Sequence, residues 1–341
     1  MTDLSRYSRQ TFFAEIGEAG QRKLLQSRVA MVGLGALGST ISQLLVRAGV
    51  GRLTVVDRDL VELHNLQRQT LYDEEDVRSR LPKAYAAGQK LRRINSEIEV
   101  RELIADLNPK NAGRLLGEAD LILDGSDNLE TRFLINDFCV REGKPWIYGG
   151  VIGSVGMTLN IVPGQTACLR CVFPELPGPG ELPTCDTVGI LNSLPALVGA
   201  IEAAEAIKLL IGSTEWRREL LYLDLWNSQF KTLQVAAVPG CECCGQRKFQ
   251  YLESKATAWV TTLCGRNTVQ ISPAEERELD LSSLSASLAR HGRVENNGYL
   301  LNFQPHEHQA TLVIFPNGRV LVQGTSDEGL ARSLYAKYLG G

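Results

Sequence analysis

Three groups of residues in this sequence have the types and spacing to do chemistry. The first is a glycine turn, Gly33-Leu34-Gly35-Ala36-Leu37-Gly38, set between an apolar run and an apolar-periodic segment. Gly33, Gly35 and Gly38 permit a tight turn and let a phosphate approach backbone N–H groups at a helix N-terminus. Asp57 closes the next apolar run, 19 residues beyond Gly38, where a carboxylate can accept bonds from ribose hydroxyls. The pair spells an adenine nucleotide and does not separate NAD from ATP.

The second group is the run Asn65-Leu66-Gln67-Arg68-Gln69, followed by Lys83 and by Asp127-Asn128. In-line attack at the α-phosphate of ATP needs positive charge on the leaving pyrophosphate, which Arg68 and Lys83 could supply, and a Mg²⁺ ligand, which Asp127 could supply. Nicotinamide chemistry has no use for these residues. The third group is Cys168-x-x-Cys171 with Cys241-x-x-Cys244, two hooks at the spacing that binds tetrahedral Zn²⁺. Four thiolates fill the shell, so such a metal is expected to be structural. Cys243 lies inside the second hook and competes as a ligand. Cys185 stands apart, where an exposed loop thiol could swing toward an acyl adenylate; an ordinary loop thiol is the competing reading. Cys139 falls on an apolar helix face and is expected in the core, and no chemistry is assigned to it or to Cys264.

These residues need a frame. Apolar spacing predicts a strand at 29–33, a helix at 39–48 and a strand closing at Asp57, which make one βαβ unit. Helices at 83–94 and 130–141 alternate with strands at 98–103 and 119–124. The pattern is that of an α/β, Rossmann-like, mostly parallel sheet with helices on both faces and a ligand crevice at the strands' carboxyl ends. Past Trp146 come extended segments, including 157–162, and then FPELPGPGELPTCD, which reads as a mobile loop. Residues 194–211 are apolar nearly all round, interrupted by Glu202, Glu205 and Lys208, as suits a helix in the core or at a subunit interface. Strands at 220–225 and 231–237 follow. The rhythm then restarts, dividing a nucleotide-binding domain, 1–250, from a small α+β domain, 251–341. The small domain is expected to hold helices at 281–289 and from Asp327, and strands at 300–303, 311–315 and 320–323.

Composition narrows the function classes. With 341 residues, 44% hydrophobic, 22% charged and a net charge of -3, the chain reads as an ordinary soluble protein with no call for nucleic acid. No apolar leader opens it and no run suits a membrane span, so the eight cysteines point to thiols in a reducing cytoplasm. The four histidines, His64, His291, His306 and His308, form no Ser/His/Asp or His–metal pattern.

The segments RYSRQ, GLGALG, DRDLVELHNLQRQ, LPK, DGSDN, CLRC, TCD and CECCG occur in an order that resembles the ThiF/MoeB/HesA family over roughly residues 5–245. The resemblance implies a homodimeric adenylyltransferase, related to ubiquitin-activating enzymes, that uses ATP to activate the Gly-Gly terminus of a ubiquitin-like sulfur carrier of the ThiS or MoaD type. It implies that Asp57 binds ribose and that Asn65, Arg68 and Lys83 bind phosphates. It further implies that Asp127 holds Mg²⁺ and that Arg9 reaches the phosphates from the other subunit. Asp59, Gln69 and Asn128 lie within the same motifs and are counted with the nucleotide-binding set. For Cys185 it implies a thioester or acyl-disulfide role, and it favours Cys241 and Cys244 over Cys243 as zinc ligands.

Several positions depart from the family pattern. Ala36 replaces a further glycine, His64 replaces a serine, and Ser79-Arg80-Leu81 replaces a glycine-bearing approach to Pro82-Lys83. None removes a charge the chemistry requires. The small domain resembles the C-terminal extension of some bacterial ThiF-type proteins, which tilts the carrier toward ThiS and thiamin rather than MoaD and molybdopterin. An NAD-dependent oxidoreductase and a non-catalytic zinc-stabilised interaction module are the rival readings.

Overall fold

The computed structural model describes residues 3–176, 185–254, 260–263, 267–273 and 278–340. The chain divides into two compact units, Met1–Lys255 and Ala256–Gly341.

Unit one is built on eight strands: β1 (Arg28–Val32), β2 (Arg52–Asp57), β3 (Glu99–Ile104), β4 (Leu121–Asp124), β5 (Trp146–Ile152), β6 (Val155–Ile161), β7 (Leu220–Asp224) and β8 (Gln229–Leu233). They lie in the order β3-β2-β1-β4-β5-β6-β7-β8. The pairs from β3 to β5 are parallel and those from β5 to β8 antiparallel. Strand order reverses between β1 and β4, and the crevice at such a switch point is where ligands bind. Both faces are covered. The helices Ala36–Ala48, Lys83–Ile94 and Ser193–Ile211 bury Ile41, Leu45, Leu91 and Val198 on one side. The helix Leu129–Glu142 buries Leu134, Ile135 and Phe138 on the other, with Cys139 fully enclosed.

The expected helix at 39–48 starts earlier, at Ala36. Gly33 turns the chain at once with φ +84°, so Ala36–Gly38 already form the first helical turn. The strand expected over 231–237 stops at Leu233, which pairs with Leu220, the first residue of β7; among the described residues no partner strand extends further. Glu202 and Glu205 interrupt an otherwise apolar helix, yet both are buried. Among the described residues no helix is long and apolar enough to cross a membrane.

Unit two is a six-stranded antiparallel sheet: β9 (Val260–Leu263), β10 (Thr268–Ile271), β11 (Gly292–Asn296), β12 (Leu301–Pro305), β13 (Thr311–Ile314) and β14 (Val320–Gln323), ordered β11-β12-β13-β14-β10-β9. The helices Leu281–Leu288 and Glu328–Leu339, capped by Asp280 and Asp327, accompany it. Val269, Phe303, Leu312, Ile314, Val322 and Leu334 form its core.

Candidate nucleotide and zinc sites

The glycine turn sits where β1 meets β4. Gly33 N–H donates to Val56 O and Gly125 N–H to Val32 O, at 2.8 and 2.7 Å. A Cβ on Gly33 would fall 2.6 Å from the Gly125 carbonyl, so the two turns pack backbone to backbone. At Gly35 a Cβ would meet nothing nearer than 3.8 Å, which leaves that face open to a ligand. Gly38 lies in the first turn of the helix, where a Cβ would fall 1.9 Å from the Gly33 carbonyl oxygen.

Asp57 is buried at the end of β2, its Oδ2 accepting from Leu34 N–H at 2.6 Å and its Oδ1 from Asp59 N–H at 2.7 Å. Burial raises its pKa, and Lys83 and the two amides oppose that rise. The carboxylate thus fixes the glycine turn through two backbone N–H groups. Tyr72, which the sequence did not single out, donates its hydroxyl to Leu34 O at 2.9 Å and reaches Lys83 O at 3.3 Å. It ties the glycine turn to the helix that carries Lys83.

That helix places Lys83 against Asp59, with Nζ 3.3 Å from Oδ2 and both side chains largely buried. Arg80, just upstream, takes φ +48°, the left-handed region glycine favours. The non-glycine approach to Lys83 therefore keeps the glycine conformation. Asn65 is buried, its Oδ1 accepting from Glu62 N–H at 3.1 Å. Arg68 reaches back to His64 O at 3.0 Å. Gln69 is buried, its Oε1 unpartnered among the described residues, and its Nε2 stands 3.9 Å from where a Gly35 Cβ would be. A buried amide beside an open glycine, its oxygen without a donor among the described residues, fits a polar ligand in this crevice.

At the end of β4, Asp127 is exposed, and Asn128 caps the following helix by accepting from Thr131 N–H at 2.8 Å. Behind them lies an ion pair that sequence reasoning missed. Arg132 Nε donates to buried Asp124 Oδ2 at 2.9 Å, and its Nη2 donates to Ser126 O at 2.7 Å and Gly149 O at 2.9 Å. Asp124 Oδ1 accepts from Ser126 N–H and Oγ. Arg9 stands exposed on the short helix Ser8–Thr11, its guanidinium 6.0 Å from the Phe12 ring centre.

Away from the crevice, Cys168, Cys171, Cys241 and Cys244 bring their sulfurs within 4.8 Å of one another. The Sγ–Sγ distances are 3.9 Å (168 to 171), 3.6 Å (168 to 241) and 3.5 Å (171 to 244). Zn–S bonds of about 2.3 Å put tetrahedral sulfurs about 3.8 Å apart, so the donor set fits zinc. Cys243 is not of this set: it is fully buried and accepts from Asn136 Nδ2 at 3.2 Å, while Asn136 Oδ1 accepts from Leu169 N–H. Cys185 begins the helical turn Cys185–Val188, but its side chain lies outside the described residues, as do Cys264 and most of the proline-rich loop.

A family model described as "ThiF family" matches residues 7–243. The chain is 42% identical over 338 residues to "Sulfur carrier protein ThiS adenylyltransferase" of Bacillus subtilis, covering 98% of this chain and 99% of that one. It is 40% identical to "Sulfur carrier protein adenylyltransferase" of Thermus thermophilus, covering 73% of this chain and 93% of that one. Among solved structures, E. coli MccB with MccA-N7isoASN superposes with a TM-score of 0.63 at 25% identity, over 72% of this chain and 75% of that one.

Proposed function

This chain belongs to the ThiF family, and on that premise we propose that it is a nucleotidyltransferase that uses ATP to adenylylate the C-terminal glycine of a ubiquitin-like sulfur carrier. The observation that carries the reading is the crevice itself. One glycine turn, braced by Asp57, opens beside the Gln69 side chain, whose Oε1 has no partner among the described residues, and beside a cation, Lys83, held at the carboxyl ends of parallel strands. The cations leave the oxidoreductase reading without support. The Bacillus relative matches through both units, whereas the Thermus relative covers 73% of this chain, so a ThiS-type carrier and thiamin synthesis are favoured over a MoaD-type carrier and molybdopterin.

A terminal glycine carboxylate, with a pKa of about 3.5, is ionised at neutral pH and needs no general base. One carboxylate oxygen attacks the α-phosphorus, the bond from that phosphorus to the bridging oxygen of pyrophosphate breaks, and carrier acyl-AMP and pyrophosphate result. Lys83, Arg68 and Asn65 would neutralise and orient the phosphates, and Asp57 with Asp59 would hold the ribose side. Mg²⁺, when bound through Asp127, would supply further charge on the phosphates. Arg9 would complete the site of a second copy in a homodimer. Phe12 and Phe13, 74% and 56% exposed beside it, support a covered apolar surface there. The four-cysteine set would hold Zn²⁺ as a structural clamp, as thiols in a cytoplasmic protein can. Cys185 is proposed only for a step after adenylylation.

The test is to incubate the zinc-loaded protein with ATP, Mg²⁺ and a ThiS-type or MoaD-type carrier and weigh the carrier by mass spectrometry. A carrier heavier by one AMP is expected, more readily with ThiS. Failure with every Gly-Gly carrier rejects the reading.

A further inference from the structure

Asp127 is exposed, so its place is set by the backbone on either side. On one side Asn128 caps the helix Leu129–Glu142. On the other, the turn Asp124–Ser126 is locked from behind by Arg132. The guanidinium spans three elements: Nε holds Asp124 Oδ2 at the end of β4, and Nη2 holds Ser126 O in the turn and Gly149 O in β5, at 2.9, 2.7 and 2.9 Å. Its Cζ lies over the Tyr148 ring, 5.3 Å from the ring centre. Asp124 completes the lock by taking Ser126 Oγ at 2.6 Å and Ser126 N–H at 2.9 Å. Both charged side chains are buried, 11% exposed for Arg132 and 0% for Asp124, so neither swings out to solvent.

We infer that Arg132 is a positioning residue for the Mg²⁺·ATP site. It touches no reacting atom, and it sets the turn from which Asp127 projects and which packs on Gly33. The inference rests on the proposed function for the identity of the ligand and on this chain's own contacts for the geometry. Outer-shell groups of this kind typically change metal affinity by about 10–100-fold when altered. Lysine cannot replace the arrangement, because one ammonium cannot hold the carboxylate and both carbonyls in the same fork.

The experiment compares the full-length, zinc-loaded wild type with Arg132→Lys and Ser126→Ala. Two quantities are read: the Mg²⁺ concentration giving half-maximal ATP–pyrophosphate exchange, and the hydrogen-exchange rates of the Gly125 and Ser126 amides. For Arg132→Lys a rise in Mg²⁺ requirement of about tenfold is expected, with the carrier KM unchanged. Amide exchange should be faster at 125–126 but not in the helix Leu129–Glu142. Ser126→Ala should shift both readings less, in the same direction, and it decides the matter if Arg132→Lys does not fold. A purely structural role would lower the melting temperature of both variants while leaving Mg²⁺ requirement and 125–126 exchange at wild-type values, and that result overturns the inference. Should the wild type catalyse no exchange with any carrier, the proposed function fails. Amide exchange alone then decides, and unchanged rates reject positioning by Arg132.

Discussion

Lys83 is held by Asp59 at both ends, its backbone N–H donating to Asp59 O at 2.8 Å and its Nζ lying 3.3 Å from Asp59 Oδ2. The helix N-terminus and the side-chain charge are therefore delivered to the crevice together. An ammonium 5% exposed is costly without a partner, and a polyphosphate can take the place of Asp59 as that partner. Lys83→Met should lower kcat/KM for ATP–pyrophosphate exchange by roughly 10²–10³-fold with the protein still folded by circular dichroism. A loss below about tenfold would remove Lys83 from the phosphate site.

Arg80 takes φ +48° on the approach to that helix. A left-handed backbone costs an L-residue about 1–2 kcal/mol, offset in glycine by about 0.5–1 kcal/mol of extra chain entropy. Arg80→Gly should raise stability by roughly 0.5–1 kcal/mol, read from urea midpoints. A lower midpoint would mean that the contacts of the Arg80 side chain outweigh the strain.

Glu202 is wholly buried, and among the described residues neither of its carboxyl oxygens has a hydrogen-bond partner. Burial pushes its pKa well up, with the charge of Asp124 adding to the rise and Arg132 and Arg217 opposing it. In the unfolded chain the group titrates near its ordinary value, about 4.3, so above that pH the folded state holds a proton the unfolded state has lost. The contribution of Glu202 to stability is thus full below the unfolded pKa and falls by about 1.4 kcal/mol per pH unit as pH rises toward the folded pKa. Glu202→Gln removes that slope. Relative to wild type, the variant should be more stable at pH 8 than at pH 5 in urea titrations. An identical difference at both pH values would mean that Glu202 keeps its ordinary pKa.

Cys243 lies beside the four-cysteine set, its Sγ accepting from Asn136 Nδ2 at 3.2 Å. Cys171→Ser should lose the metal and lower the melting temperature, whereas Cys243→Ala should keep one zinc per chain and cost about 1 kcal/mol through the lost Asn136 bond. Metal analysis of both variants checks this; loss of zinc from Cys243→Ala would make Cys243 a ligand.

Much of this frame was legible beforehand because its signals are local. The Gly33 turn, the acid closing β2 and the CxxC hooks each depend on residues a few positions apart, and the helix Lys83–Ile94 followed from its own apolar spacing. The contacts that lock the site were not legible, because they join residues by the fold rather than by spacing. Arg132 could have been noticed as a cation one turn after the Asn128 cap, but nothing in the sequence says that it turns inward to Asp124. Tyr72 carries no signal at all, since its role exists only once Leu34 and Lys83 are neighbours. Glu202 reads as a charged interruption of an apolar helix, and only the close approach of Gly149 shows that it is enclosed.

The most direct measurement is ATP–pyrophosphate exchange by wild type and Asp127→Ala with a ThiS-type carrier, intact or lacking its terminal glycine. Exchange is expected only for wild type with the intact carrier. Equal exchange with the shortened carrier, or none with any intact Gly-Gly carrier while the protein is folded and zinc-loaded, would contradict it.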